Sequence, residues 1–260
     1  MRSFINCFQS EWIKRRRSLA SWIIIIGSFF TPVIIIIARL LASHNLNKTY
    51  NLPNYWNILW KNCWESMAIF LLPLCIILFT SLITQIEYKN NTWKQLHTLP
   101  LNFRTIFFTK FAVIIVMLLQ FLLIFNIGIY LSTLLPYLLI SNVEYPRQTI
   151  PYALFLKENL FYLIDCLPIV ALQYLISLKF KNFLVSVGTG FLFWFGALAA
   201  LTWKYGYIIP YTYCMFNYLK DAPGGKVILP TLNIHYFALG YFIFITILNY
   251  VIYIHKNDKG

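Results

Sequence analysis

From Phe111 to Val143 the chain carries no Asp, Glu, Lys or Arg, and several other long stretches are almost as free of charge. A helix rises about 1.5 Å per residue, so about 20 apolar residues cross the roughly 30 Å hydrocarbon core of a bilayer. Six segments meet that requirement, at approximately 19–42, 66–86, 107–135, 156–178, 183–203 and 236–254. Their apolar runs are continuous rather than alternating, which predicts helices and not the strands of a membrane barrel. The expected fold class is an all-α membrane protein with six transmembrane helices, forming a single domain over residues 1–260.

Charge then orients the chain. Only 11% of residues are charged while 60% are hydrophobic, too few charges for an ordinary soluble domain. The net charge of +13 would suggest nucleic acid if it lay on a soluble face. Here the basic residues fall between apolar runs, so the expected partner is the lipid bilayer and no nucleic acid. With the N-terminus inside, the inner segments 1–18, 87–110, 179–182 and 255–260 hold 13 Lys and Arg, against 7 in the longer outer segments 43–65, 141–158 and 204–235. The positive-inside rule therefore predicts both termini cytoplasmic. A cleaved signal peptide fits the first span poorly: its apolar run is too long, and Leu40 stands where cleavage after Ala42 needs a small residue. Cys7, Cys63, Cys75, Cys166 and Cys214 are odd in number and lack C-x-x-C spacing. They are expected to be buried or lipid-facing thiols, with only Cys63 and Cys214 positioned for an outer disulfide.

The connections carry more information than passive links. Phe4, Ile5, Phe8 and Trp12 recur at helical spacing while Arg2, Gln9 and Glu11 point elsewhere, predicting an amphipathic N-terminal helix at the inner membrane surface. After Asn90 and Asn91, the string Thr92-Trp93-Lys94-Gln95 has the form of a capping box and predicts a short cytosolic helix between spans 2 and 3. Pro100 restricts Leu99 to an extended shape, so that helix should stop near Thr98, and Asn102 or Thr105 can begin the third span. The outer connection from Lys204 to His235 is crowded with tyrosines and divided by Pro210, Pro223 and Pro230. Two readings stay open for it: broken half-helices dipping into the outer leaflet, or a plain aromatic belt.

Catalytic signatures are missing. The nearest string to a phosphate-binding loop, Gly224-Gly225-Lys226-Val227, lacks both the loop spacing and the hydroxyl that would hold magnesium. No H-E-x-x-H or G-x-S-x-G occurs, and His44, His97, His235 and His255 are dispersed. The chain is expected not to be an enzyme and to hold no metal or cofactor of its own. Charge inside a bilayer costs about 2.5–3.5 kcal/mol on insertion scales. That cost singles out Asp165, with Glu158 seven residues earlier on the same helical face and Arg39 a candidate partner for either acid. The three could line a substrate route or fix a closed state; the alternatives are a structural ion pair for Asp165 and snorkelling for Arg39. Pro32, Pro73 and Pro168 should kink their spans, either as hinges or for packing.

This layout resembles the ABC-2 permeases, the membrane subunits of type-2 ABC exporters, in particular the compact six-helix kind of bacterial peptide-antibiotic export and immunity. The similarity rests on Glu11 followed by the Lys14–Arg17 cluster, and on Glu87, Trp93, Leu99-Pro100, Arg104 and Lys110 around the first inner loop. The resemblance implies that this loop forms a coupling helix seated on a separate ABC ATP-binding subunit. It further implies a re-entrant outer connection between the last two spans, and a second permease chain, identical or different. ATP and magnesium would then reside on the partner subunit, and the location would be the bacterial cytoplasmic (inner) membrane, multi-pass. Coupling to the ATPase is expected from Glu87, Trp93, Leu96, Leu99, Pro100 and Arg104, with Trp93 and Leu96 buried in the partner's groove. The expected function is a permease subunit of an ATP-driven exporter for an amphipathic or hydrophobic substrate, a peptide antibiotic or lipid-like molecule. An ATP-independent secondary transporter or channel, and a noncatalytic membrane interaction or sensor subunit, are the alternatives.

Overall fold

The computed structural model describes residues 2–16, 18–89, 102–220, 227 and 229–257, and these are helical without any strand among them. The elements are α1 (Arg2–Arg16), α2 (Leu19–Leu41), α3 (Leu46–Tyr50), α4 (Tyr55–Ser66), α5 (Leu72–Lys89), α6 (Phe103–Leu139), α7 (Tyr152–Lys179), α8 (Phe183–Ala200), α9 (Tyr213–Leu219) and α10 (Ile234–Asn257). Residues Met67–Leu71 form one π-helical turn that joins α4 to α5. Among the described residues, six helical stretches are long and apolar enough to span a membrane: Leu19–Leu41, Tyr55–Ile86, Phe103–Leu139, Tyr152–Lys179, Phe183–Ala200 and Ile234–His255.

The second span starts at Tyr55, whereas its uninterrupted apolar run starts at Ser66. The reason is an amphipathic first half. Tyr55, Trp56, Leu59, Trp60, Cys63 and Trp64 are buried on one side of α4, while Lys61, Asn62 and Glu65 are exposed on the other. A rule that counts charges reads such a segment as loop, although its 3.6-residue period is helical. Likewise the third span continues past Pro136 to Leu139 instead of breaking there. Asn102, in extended conformation, begins that helix.

Spans two, three and four form the core, with 67%, 50% and 61% of their most apolar windows buried, against 28%, 28% and 22% for spans one, five and six. The flanking helices therefore present their apolar faces outward, as Ile26, Leu192 and Phe244 illustrate, each at least 60% exposed. Small residues set the closest approach of α2 to its neighbours. A Cβ on Gly27 would lie 2.5 Å from Sγ of Cys75, and one on Gly128 would lie 2.8 Å from Cγ of Pro32. Without a hydrophobic force between helices in lipid, such close backbone contact is what drives their packing.

Two of the prolines inside the spans, Pro73 and Pro136, are accommodated by donors from other helices. Pro73 has no N–H for the carbonyl of Ile69, four residues earlier, and the indole Nε1 of Trp194 donates to that oxygen at 2.9 Å. Pro136 similarly leaves the carbonyl of Ser132 without a backbone donor, and Nη1 of Arg39 donates to it at 2.8 Å. Each repair fixes one helix against another.

Candidate functional site

At one end of the bundle α1 packs against the start of α6 through a polar face. Sγ of Cys7 lies 3.2 Å from Oγ1 of Thr109, Nζ of Lys110 donates to Oε2 of Glu11 at 3.0 Å, and Nη1 of Arg15 donates to Oε1 of Gln120 at 2.6 Å. Cys7, Glu11 and Arg15 follow one another at four-residue spacing, so they share a face, and all three are buried. Phe4 and Ile5 are exposed instead. The sequence places Glu11 away from the apolar face correctly, but that direction leads into protein and not into water. Burial opposes the charge on Glu11; Lys110 and Lys14 outweigh it and hold the carboxyl below its ordinary value of 4.5. Oε1 of Glu11 also accepts from Nζ of Lys14 at 2.6 Å.

Around this base lie the ends of the segment expected to couple to a partner. Nε2 of Gln85 near the end of α5 donates to the carbonyl of Phe180 at 3.1 Å, tying α5 to the α7–α8 turn. The hydroxyl of Tyr174 on α7 donates to the carbonyl of Phe107 on α6 at 3.1 Å. Glu87 lies in the last turns of α5, and Arg104 lies exposed in the first turn of α6. Trp93, Leu96, Leu99 and Pro100 fall outside the described residues, as do the capping box and the stop near Thr98.

A second polar system occupies the middle of the bundle. Nε2 of Gln173 donates to Oγ of Ser81 at 2.8 Å and to the carbonyl of Ser186 at 3.0 Å, while the hydroxyl of Tyr211 donates to Oε1 of Gln173 at 3.2 Å. These contacts gather α5, α7 and α8 around one side-chain amide. They also hold the connection after α8, whose Tyr211, Tyr213, Cys214 and Met215 are fully buried. From Gly206 to Leu219 the connection thus turns back into the bundle in short 3-10 turns and α9, and Pro210–Asn217 are buried there. Cys214 meets Cys166, with sulfurs 3.2 Å apart and both thiols free, and not Cys63.

Away from α1, the three charged residues that the sequence groups together have separate partners. Asp165 on α7, 0% exposed, has Oδ1 at 2.8 Å from Nδ1 of His235 on α10, and the imidazole stacks on Phe161. Glu158 lies 3.6 Å from Nζ of Lys220. Arg39 pairs with neither acid: besides Ser132 it donates to Oγ1 of Thr133 at 3.3 Å, and it sits beside the rings of Tyr50 and Tyr55. His235 stands alone in the sequence, with nothing local to mark it as this partner; the signal that points to it is that a buried carboxylate demands some donor.

No curated protein and no solved structure matches the chain. Residues 7–197, from α1 through most of α8, match the family described as "ABC-2 family transporter protein". With that match over most of its length, and with six helices able to span a bilayer, the chain belongs to the ABC-2 family of membrane transporter permeases.

Proposed function

We propose that this permease is the membrane-spanning subunit of an ATP-driven exporter, working with a separate ABC ATP-binding subunit and a second permease chain in a bacterial cytoplasmic membrane. ATP and magnesium belong to the partner. The substrate is an amphipathic or hydrophobic molecule, a peptide antibiotic or a lipid-like compound, passed outward by alternating access. Both termini and residues 87–110 face the cytoplasm in this reading.

The observation that supports it is the bracing of the helix ends from which residues 90–101 depart. The start of α6 is held by α1 through Lys110 and Glu11 and by α7 through Tyr174, while Gln85 holds the end of α5 to the α7–α8 turn. A partner pushing on the intervening segment would move these helices together, because fixed helix ends transmit displacement where a slack tether would not. Trp93 and Leu96 are the anchors proposed to enter the ATPase, with Glu87 and Arg104 steadying the helix ends; aromatic and Arg residues often dominate such contacts.

Co-purification with an ABC ATP-binding subunit expressed together with this chain tests the reading. Trp93→Glu, or deletion of residues 92–98, should abolish association while membrane insertion is retained. Association that survives both changes overturns the coupling role. The buried Asp165–His235 pair is the one observation that favours an ATP-independent transporter instead. That reading requires ion-dependent flux in vesicles containing this chain alone, and loss of the flux in Asp165→Asn.

A further inference from the structure

At the end of the bundle opposite α1, residues of α4, α7 and α9 enclose a cavity of about 560 Å³. Three residues that line it each carry a buried polar atom without a hydrogen-bond partner: Nε1 of Trp64, Nδ2 of Asn217 and Oδ1 of Asn57. Trp64 and Asn217 are 0% and 1% exposed. Leaving one buried donor unsatisfied costs about 1–3 kcal/mol, so native proteins seldom collect several in one place without something for them to bind. Lys61 lines the same cavity and is exposed. Glu158 also borders it but is already held by Lys220.

A second and larger space adjoins this one. Trp60 lines both the polar cavity and an apolar groove of about 830 Å³ between α4, α6 and α7. Its ring stacks at 4.2 Å on Phe155, which lines the groove, so Trp60 itself stands between the two spaces. Within the groove, Asn126 and Asn159 exchange hydrogen bonds of 2.8 and 2.9 Å and satisfy one another. Leu123, Leu156 and Leu160 on its walls are 60%, 74% and 54% exposed. The groove therefore opens on the apolar flank of the bundle, the surface that a spanning helix bundle turns toward acyl chains.

We propose that a glycerophospholipid binds across Trp60, with an acyl chain in the α6–α7 groove and its phosphate-bearing headgroup in the cavity of α4, α7 and α9. The polarity of the unpartnered atoms selects the headgroup. Two of the three are N–H donors, suited to phosphate or ester oxygens, and Lys61, which forms no ion pair among the described residues, supplies a cation nearby, whereas the carboxylate of Glu158 is engaged. Asn57 supplies an acceptor for a hydroxyl of the headgroup. A soluble polar ligand would leave the adjoining groove unused, and a hydrocarbon alone would leave three polar atoms unsatisfied. This site stands independently of whether the chain exports anything.

Native mass spectrometry of the purified full chain, incubated with phosphatidylglycerol, glycerol 3-phosphate or a diacylglycerol, tests it. The chain should retain phosphatidylglycerol and neither of the other two. Asn217→Asp sets a carboxylate against the phosphate while keeping the side-chain shape; Lys61→Glu reverses the charge on an exposed residue; Leu123→Trp fills the groove from its rim. Losing a charge-assisted contact should lower retention about tenfold in each headgroup variant, with helicity by circular dichroism unchanged. Retention of glycerol 3-phosphate equal to that of the lipid identifies a soluble-anion site and overturns the proposal. So does lipid retention indifferent to all three substitutions, or no specific retention at all, which leaves the cavity to water. If Leu123→Trp alters the dimer population and leaves lipid retention intact, the groove is an interface between copies and the proposal fails.

Discussion

His235 places Nδ1 at 2.8 Å from Oδ1 of Asp165, joining the first turn of α10 to the middle of α7 across 70 residues of chain. Asp165 is completely buried and its other oxygen has no partner, so the imidazole is the one side chain that satisfies this carboxyl group among the described residues. His235→Ala should lower the stability of the detergent-solubilised chain by about 1–3 kcal/mol, the cost of an orphaned buried polar group. Asp165→Asn, which keeps a hydrogen-bonding atom toward the ring, should cost less. Pairing His235→Ala with Asp165→Leu should recover most of the loss, because no polar group is then left without a partner. Thermal unfolding followed by tryptophan fluorescence ranks the three; equal effects for all would show that the pair contributes little.

Docking of α1 should depend on pH through Glu11. Its carboxyl is held below 4.5 when docked, despite burial, by Lys110 and Lys14. Once undocked it regains an ordinary value. Between the two, the undocked form takes up a proton that the docked form does not, so falling pH favours undocking. The stabilisation is thus present in full above about 4.5 and is lost as pH falls through the lowered value. Hydrogen exchange over residues 2–16 should accelerate in that acid range. In Glu11→Gln exchange should already be fast at neutral pH and nearly insensitive to acid; an acid response of wild-type size in that variant refutes the assignment.

How far these relationships could be read in advance follows from their physics. The middles of the six spans are legible because desolvation of the backbone enforces long apolar runs. The start of the second span at Tyr55 is hidden, since Lys61 and Glu65 interrupt the run while facing outward from a helix whose other side is buried. Partners are harder than elements. Side-chain charges alone suggest joining Arg39 to Asp165 or Glu158, yet Arg39 binds a carbonyl that carries no mark in the sequence. The mark lies four residues downstream, in Pro136. Asp165 itself is conspicuous, but nothing local connects it to His235, because the juxtaposition is made by the return of α9 and α10 onto α7.

Two glycines should respond in opposite directions to the same change. A Cβ on Gly128 would sit 2.8 Å from Cγ and 3.0 Å from Cβ of Pro32, a ring that cannot rotate away. Gly128→Ala should therefore force α2 and α6 apart, at about 1–3 kcal/mol for overpacking. Gly188 on α8 has nothing within 4 Å of the same position. Gly188→Ala should stabilise by up to about 1 kcal/mol through helix propensity alone. Apparent melting temperatures of the two variants should fall on either side of wild type, and a shift of the same sign in both would remove close packing as the role of Gly128.

Arg39 offers the sharpest separation of a packing role from a transport role. Its guanidinium donates to the Ser132 carbonyl at 2.8 Å, the oxygen that Pro136 leaves without a backbone N–H. If repairing that gap is what the arginine does, its value depends on the proline. Arg39→Met in the natural chain removes a charged donor and should cost about 1.5–3 kcal/mol. Pro136→Ala restores an N–H that can close the helical bond, so Arg39→Met in that background should cost markedly less. The coupling energy from the four proteins, measured by denaturation in one detergent, should be at least about 0.5 kcal/mol, the scale found for residues that share a partner. A coupling of zero would mean that Arg39 acts elsewhere, through Thr133 or the rings of Tyr50 and Tyr55, and would return it to the list of residues able to meet a translocated substrate.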